Sequence, residues 1–314
     1  MKLFPLITEY VAFKQSLGMR FRSEAGILKS FCRTLGDIHI TEVDSDSVQT
    51  FLAGKRSITT FWHQKFKVLA AFYRFAMSRG YTDSSPLPQT IPKRPESRAP
   101  YIYSLEELRR LLAGTDLLES PSSPLQATTF RTLLLTLYST GLRISEAISL
   151  TLADVNLPKN LIVVRNTKFF KTRLVPIGPR LTDKLHAYAK RRRQLSRPAG
   201  EHSAFFATRT GNALSYDRVK TIFPFLRHLA GIHPKESHRC PPRIHDLRHT
   251  FAVHRLESWY REGADVQRLL PQLSTYLGHV DVRETQCYLS MTTELLQEPN
   301  RRFERYRLSE VNHG

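Results

Sequence analysis

The chain has 314 residues, enough for two domains each with its own core, and 41% of them are apolar, an ordinary share for a globular protein. Lysine and arginine outnumber aspartate and glutamate by 47 to 28, and the resulting net charge of +19 points to a polyanion partner, double-stranded DNA foremost. No run of about eighteen apolar residues exists to span a membrane, and residues 1–5 lack the apolar stretch of a signal peptide, so a cytoplasmic, nucleoid-associated protein is expected. Cys32, Cys240 and Cys287 are odd in number and scattered, which suggests neither a disulfide framework nor a zinc site. Cys287 is expected to be packed.

The first eighty residues read as helices. Short amphipathic segments cover about residues 5–17, 24–34 and 46–52, and a longer one covers 57–79. On the last, Trp62, Phe66, Leu69 and Tyr73 recur along one face and predict core. Lys65, Lys67 and Arg74 share that helix; they suit either a solvated face or phosphate contacts, and the charge of the whole chain favours DNA. From residue 83 to 103 the composition changes: Pro86, Pro88, Pro92 and Pro95 with Lys93 and Arg94 describe a semi-rigid basic linker, whose two cations are further DNA-contact candidates. The predicted domains are therefore 1–82, helical; 83–103, linker; 104–300, the second domain; and 301–314, a polar basic tail.

Ser104 followed by Glu107 forms a capping-box pattern that opens a new helix. Residues 130–139 form an apolar helix running into the Thr140-Gly141 turn. The β-branched runs 161–164 and 173–177, separated by a basic turn, predict a hairpin. Helices are expected at about 182–194, 216–230 and 244–260, with shorter ones at 265–274, 282–289 and 294–297. The fold class is mainly α with a small β element.

Several short pieces of this second domain carry chemistry. Arg143 follows a glycine turn at a helix start, where its planar fork can project into a cleft and grip two phosphate oxygens. Arg248 can do the same, so the two arginines could hold both non-bridging oxygens and neutralise the charge of a pentavalent phosphorus. Offsets of three and four place His245, Arg248 and His249 on one helix face. Glu146, three residues after Arg143, is read as a buttress for an arginine. Lys168 sits in the hairpin turn, followed by Lys171 and Arg173; a lysine there can protonate a departing 5′-oxygen, and the other two are candidate DNA contacts. Tyr288 is the candidate nucleophile: attack by a phenol on a phosphodiester stores the energy of the broken bond, so rejoining requires no ATP. No carboxylate cluster is present to hold a metal, and no cofactor is expected.

The combination Gly141-Leu142-Arg143-Ile144-Ser145-Glu146, Lys168, His245 to Arg248, Leu277-Gly278-His279, and Tyr288 nine residues after His279 resembles the tyrosine recombinase (phage integrase) family. The resemblance spans about residues 104–297 by motif and fills all six active-site positions: Arg143, Lys168, His245, Arg248, His279 and Tyr288. It implies a C-shaped clamp of two domains, a helical N-terminal core-binding domain and a mixed α/β catalytic domain. It also implies a 3′-phosphotyrosine intermediate with a free 5′-hydroxyl. Arg143 and Arg248 would bind the phosphate, His279 would donate a hydrogen bond, Lys168 would be the general acid, and His245 would help accept the tyrosine proton. Glu146 and His249 would support them. Its implied partners are specific recombination sites in double-stranded DNA, a homo-tetramer exchanging strands through a Holliday junction, and accessory recombination proteins. One departure stands out: His279 lies thirty-one positions after Arg248, several more than in compact members, with the extra length at residues 257–273.

The leading expectation is a site-specific recombinase or integrase of a mobile element; integration, excision and resolution all fit. No extra N-terminal arm-binding domain is evident. The alternatives are a type IB-like DNA topoisomerase, with the same chemistry and no preferred sequence, and a catalytically silent DNA-binding clamp.

Overall fold

Apolar side chains gather into separate cores within two units of the chain, Met1–Arg98 and Ala99–Gly314. The computed structural model describes residues 1–54, 58–95, 99–119, 127–165, 172–194, 200–208, 211–234 and 241–290. Among these, no helix is long and apolar enough to cross a membrane.

The first unit packs four helices: α1 (Leu3–Ser16), α2 (Arg22–Leu35), α3 (Ser45–Ala53) and α4 (Thr60–Ser78). Asp44 caps α3 by accepting from the Ser47 amide, and Thr59 caps α4 by accepting from the Trp62 amide. Each cap contributes about 1 kcal/mol, whereas fully burying one Leu- or Phe-sized side chain contributes roughly 1.5–3 kcal/mol. Leu6, Leu28, Phe31, Leu69 and Phe72 are all completely buried, so packing holds this bundle and the caps set where its helices begin. Trp62, Leu69 and Tyr73 face inward as their spacing predicts, with Phe66 packed at the edge.

In the second unit the Ser104–Glu107 capping box opens α5 (Leu105–Gly114). Tyr101 and Tyr103, just before it, are buried in that unit's core, so the chain is already committed to it there. Helix α6 (Ala127–Thr140) runs through this core and buries Phe130, Leu133 and Leu137. The short α7 (Ile144–Ile148) follows the Gly141 turn. The predicted hairpin is present as β2 (Leu161–Val164) and β3 (Arg173–Pro176), joined at its edge by β1 (Val155–Asn156) in an antiparallel sheet of order β1-β2-β3. Ile162 pairs with Val175, and these two with Val164 turn into the core. A two-residue strand such as β1 has no periodicity to read, and the sequence did not disclose it.

Helices α8 (Pro179–Arg193), α9 (Tyr216–Leu229), α10 (Asp246–Arg261), α11 (Val266–Leu277) and α12 (Arg283–Gln286) complete the unit, the last running into a 3-10 turn at Cys287–Ser290. The long Arg248-to-His279 segment builds the α10–α11 pair: Leu256, Val266, Leu270 and Leu273 form a satellite core with Tyr288. Cys287 is a correction, because its side chain is exposed while its neighbour Tyr288 points inward. The expected helix at 294–297 and the tail at 301–314 lie outside the described residues.

The turn after α6 tolerates only glycine. Gly141 has φ +61°, and a Cβ there would lie 2.5 Å from Phe251 Cδ1 and 2.7 Å from Leu277 Cδ2. Gly141→Ala is therefore expected to cost about 1–3 kcal/mol through backbone strain and overpacking, read by calorimetry as a Tm lowered by several degrees.

Candidate active site

Five stretches of the second unit converge on one cluster. The Gly141 turn delivers Arg143, strand β3 delivers Arg173, the start of α10 delivers His245, Arg248 and His249, the end of α11 delivers Gly278 and His279, and the 3-10 turn delivers Tyr288.

Arg248 is the buried centre, 3% exposed. Its Nη1 donates to the Gly141 carbonyl at 2.7 Å and its Nη2 to the Leu277 carbonyl at 2.8 Å. Those carbonyls lie at the C-terminal ends of α6 and α11, where the unsatisfied backbone oxygens and helix dipoles favour a cation. Burial and then the nearby Arg143 lower its pKa to about 10, so it stays charged at neutral pH.

Arg143 is more open. Its backbone amide donates to Glu146 Oε2 at 2.9 Å, its Nη1 to Glu146 Oε1 at 3.0 Å, and both terminal nitrogens approach the Gly278 carbonyl at 3.4–3.5 Å. Glu146 thus buttresses an arginine, as its position in the sequence suggests. Its second partner is a correction. Arg173, expected to touch DNA, is instead turned inward and forks onto the same carboxylate, Nη1 to Oε1 at 2.9 Å and Nη2 to Oε2 at 2.8 Å. Its Nε donates to the Tyr276 carbonyl at 3.1 Å, and its side chain is only 12% exposed. A β-strand alternates its faces, and the register pairing Val164 with Arg173 decided which face Arg173 took.

Gly278 accommodates that arginine. A Cβ at this position, φ +70°, would sit 2.8–3.0 Å from the Arg173 guanidinium. The glycine of Leu-Gly-His therefore serves the arginines as well as ending α11.

Burial lowers the pKa of each of the three histidines. Burial, followed by the charges of Arg248 and Arg143, lowers the His279 pKa to about 3, and its Nδ1 lies 2.6 Å from the buried Thr285 hydroxyl. Burial and then neighbouring His245 lower His249 to about 4, and burial and then Arg248 lower His245. The rings of His245 and His249 meet edge to face at 5.0 Å. Tyr288 is 2% exposed; its hydroxyl lies 3.2 Å from His249 Nδ1 and also meets the Arg248 guanidinium. Its ring lies nearly parallel to His279, 6.2 Å away. Burial raises the phenol pKa, with Arg248 opposing.

Arg143, His245, Arg248, His249, His279, Glu146 and Tyr288 are thus brought together, and Lys168 and Lys171 lie outside the described residues. In the first unit, Lys67, Arg74, Lys93 and Arg94 are exposed. Lys65 is a further correction: its ammonium donates to the Phe51 carbonyl and sits 4.4 Å from the Phe51 ring centre, so it closes the end of α3. The sequence reading missed Arg173 as a buttress and Thr285 as the partner of His279. It also missed Asp246, whose carboxylate accepts the Arg243 amide and guanidinium at the start of α10. An aspartate beside a predicted helix start was the available signal for the last; the other two depend on long-range pairing.

The sequence profile of the phage integrase family matches residues 105–294. The chain is 34% identical over 307 residues to the putative integrase/recombinase y4rB of Sinorhizobium fredii (strain NBRC 101917 / NGR234), covering 95% of this chain and 96% of that one. It is 30% identical over 292 residues to the tyrosine recombinase XerC of Oceanobacillus iheyensis, covering 88% and 86%. Two solved structures share the fold. A lambda integrase(75–356) dimer bound to a COC′ core site matches with TM-score 0.67 at 16% identity over 93% of this chain and 97% of that one. A lambda integrase tetramer bound to a Holliday junction matches with TM-score 0.65 at 17% identity over 90% and 79%.

The Glu146 carboxylate makes a stability prediction. Burial raises its pKa, but hydrogen bonds and charge from Arg173, then Arg143, outweigh that and lower it from 4.5 to about 2. A carboxylate whose folded value is depressed contributes fully above its ordinary pKa and loses that contribution as pH falls through the folded value. Glu146→Gln is expected to cost about 3–5 kcal/mol at pH 7 by leaving a buried arginine charge uncompensated. In urea titrations the gap from wild type should narrow as pH falls below 4.5 toward 2.

Proposed function

This chain belongs to the phage integrase family and is a tyrosine recombinase, and on that premise we propose that Tyr288 cleaves and rejoins duplex DNA at specific sites through a 3′-phosphotyrosine link. The observation that carries this reading is the convergence of Tyr288 with Arg143, Arg248, His245 and His279 from four separate stretches of one chain.

In this reading a scissile phosphate enters between Arg143 and Arg248. Each guanidinium keeps donors free of its carbonyl and carboxylate partners, because arginine carries five N–H groups. Together they neutralise charge as phosphorus becomes pentavalent, and the surrounding helices hold them in place before the substrate arrives. His279, oriented by Thr285, donates a further hydrogen bond. Tyr288 attacks, His245 assists removal of its proton, and Lys168 protonates the departing 5′-oxygen. The phosphotyrosine bond keeps the energy of the broken linkage, so reversal needs neither ATP nor a metal. Tyr288 lies beside the arginines of its own chain, which supports cleavage in cis.

The lambda integrase tetramer on a Holliday junction supports a homo-tetramer that exchanges strands through the same intermediate, with accessory recombination proteins as further partners. The likeness to an integrase/recombinase supports a role in moving a mobile element. The exposed Lys67, Arg74, Lys93 and Arg94 supply phosphate contacts from the first unit, and Lys171 one from the β2–β3 connection. The domain plan is a helical core-binding domain, a basic linker and a catalytic domain, with the cytoplasm and its nucleoid as the site of action.

Covalent capture tests the reading. Wild-type protein and Tyr288→Phe are expressed in a bacterial host, lysed rapidly in detergent, and the DNA joined to protein is sequenced from its ends. Ends that collect at one or a few sites, with wild type alone, are the expected result. Scattered ends indicate a topoisomerase, and equal capture by Tyr288→Phe overturns the nucleophile assignment.

A further inference from the structure

We propose that His249, rather than His245, is the immediate acceptor of the Tyr288 proton; this rests on Tyr288 being the nucleophile. Among the described residues, Tyr288 Oη has two polar neighbours, His249 Nδ1 at 3.2 Å and the Arg248 guanidinium. Arginine carries donors only. Arg248 can therefore give a hydrogen bond to the phenolic oxygen, but it cannot receive the phenolic proton. The one neighbour able to accept is His249 Nδ1, in the tautomer that carries its proton on Nε2. The opposite tautomer would point two donors at the same oxygen and leave the buried O–H without an acceptor.

The position of His245 supports the assignment. Its ring stands edge-on to His249 at 5.0 Å and makes no hydrogen bond to Tyr288. His245 lies at the N-cap of α10, three residues before Arg248, whereas His249 follows Arg248 directly and projects toward the 3-10 turn that carries Tyr288. The ring of His249 is neutral at working pH, the state in which a histidine accepts.

The Tyr288 O–H bond breaks and its proton passes to His249 Nδ1. The phenolic oxygen bonds to phosphorus while the bond from phosphorus to the 5′-oxygen breaks. That oxygen leaves with a proton from the general acid assigned above to Lys168. The negative phosphate beside the new imidazolium, and the positive charge of Arg248 near the phenolic oxygen, both favour the transfer. On religation the 5′-hydroxyl attacks phosphorus, Lys168 regains a proton, and His249 returns its own to Tyr288, as microscopic reversibility requires.

The test uses the full chain and a pool of nicked duplexes with randomised centres, from which wild-type protein first captures its substrates. Initial rates of detergent-resistant adduct are then compared on the captured duplexes. His249→Gln, which keeps a hydrogen-bond acceptor but no base, is expected to slow adduct formation by about 10²-fold, within the usual range for general-base catalysis. Placing difluorotyrosine at position 288, a more acidic phenol, is expected to slow the wild-type reaction or leave it unchanged. In the His249→Gln background it should recover about tenfold of the loss, because less help is needed to remove the proton. A purely structural role for His249 would show no such selective rescue.

An undiminished rate in His249→Gln, or a loss that the acidic phenol does not relieve, overturns the proton-acceptor assignment. If His245→Gln, and not His249→Gln, is the variant rescued, His245 is the acceptor and the proposal falls. Adduct formed by Tyr288→Phe, or none by wild type, overturns instead the nucleophile reading beneath it. Mobility shifts on the same duplexes verify that each variant is folded and binds DNA.

Discussion

A single buried guanidinium holds the catalytic half of this protein together. Arg248 spends two of its hydrogen bonds on backbone carbonyls, Gly141 after α6 and Leu277 at the end of α11. Two helix ends that would otherwise leave orphan carbonyls are thereby satisfied by one cation, and the helix dipoles offset its desolvation. The geometry of Arg143, His279 and Tyr288 follows, since each is carried on a segment adjoining one of those helix ends or α10 itself. A lysine could not do this, because a compact ammonium lacks the planar fork that reaches two carbonyls in fixed directions while leaving further donors free.

A second consequence is electrostatic. Arg143 and Arg173 pair with one carboxylate, Glu146, and Arg248 lies near them, so the cluster holds more positive than negative charge before DNA arrives. Burial and this excess keep His245, His249 and His279 neutral. Positive charge thus resides on groups that cannot titrate near neutrality, and the imidazoles are left to give or accept single hydrogen bonds. A phosphodiester brings the missing negative charge. Its arrival offsets part of that excess, which makes an imidazole a better proton acceptor than in the empty site.

Glycines mark the points where backbone and charge approach most closely. Gly141 lets α6 end against Phe251 and Leu277, and Gly278 leaves room for the Arg173 guanidinium. Through Gly278, Arg173, Glu146 and Arg143, the Leu-Gly-His segment is coupled to the arginine of the first motif across more than a hundred residues of chain. The motifs are separate words in the sequence and one packed object in space.

Much of this was readable from the chain alone, for local reasons. The helix start at Ser104, the inward face of α4 and the hairpin strands follow from short-range capping and periodicity, and the spacing of Arg143, His245, Arg248, His279 and Tyr288 carried the family. What the sequence could not decide was which way a cation turns. Arg173 and Lys65 look like DNA contacts by composition, yet one is paired with a carboxylate twenty-seven residues before it and the other caps a helix end fourteen residues away. The exposure of Cys287 beside the buried Tyr288, and the meeting of Tyr288 with His249, likewise depend on a 3-10 turn docking against α10. Residue type determined the chemistry on offer; only tertiary packing, through strand register and helix docking, decided which partner each charged or polar group would meet.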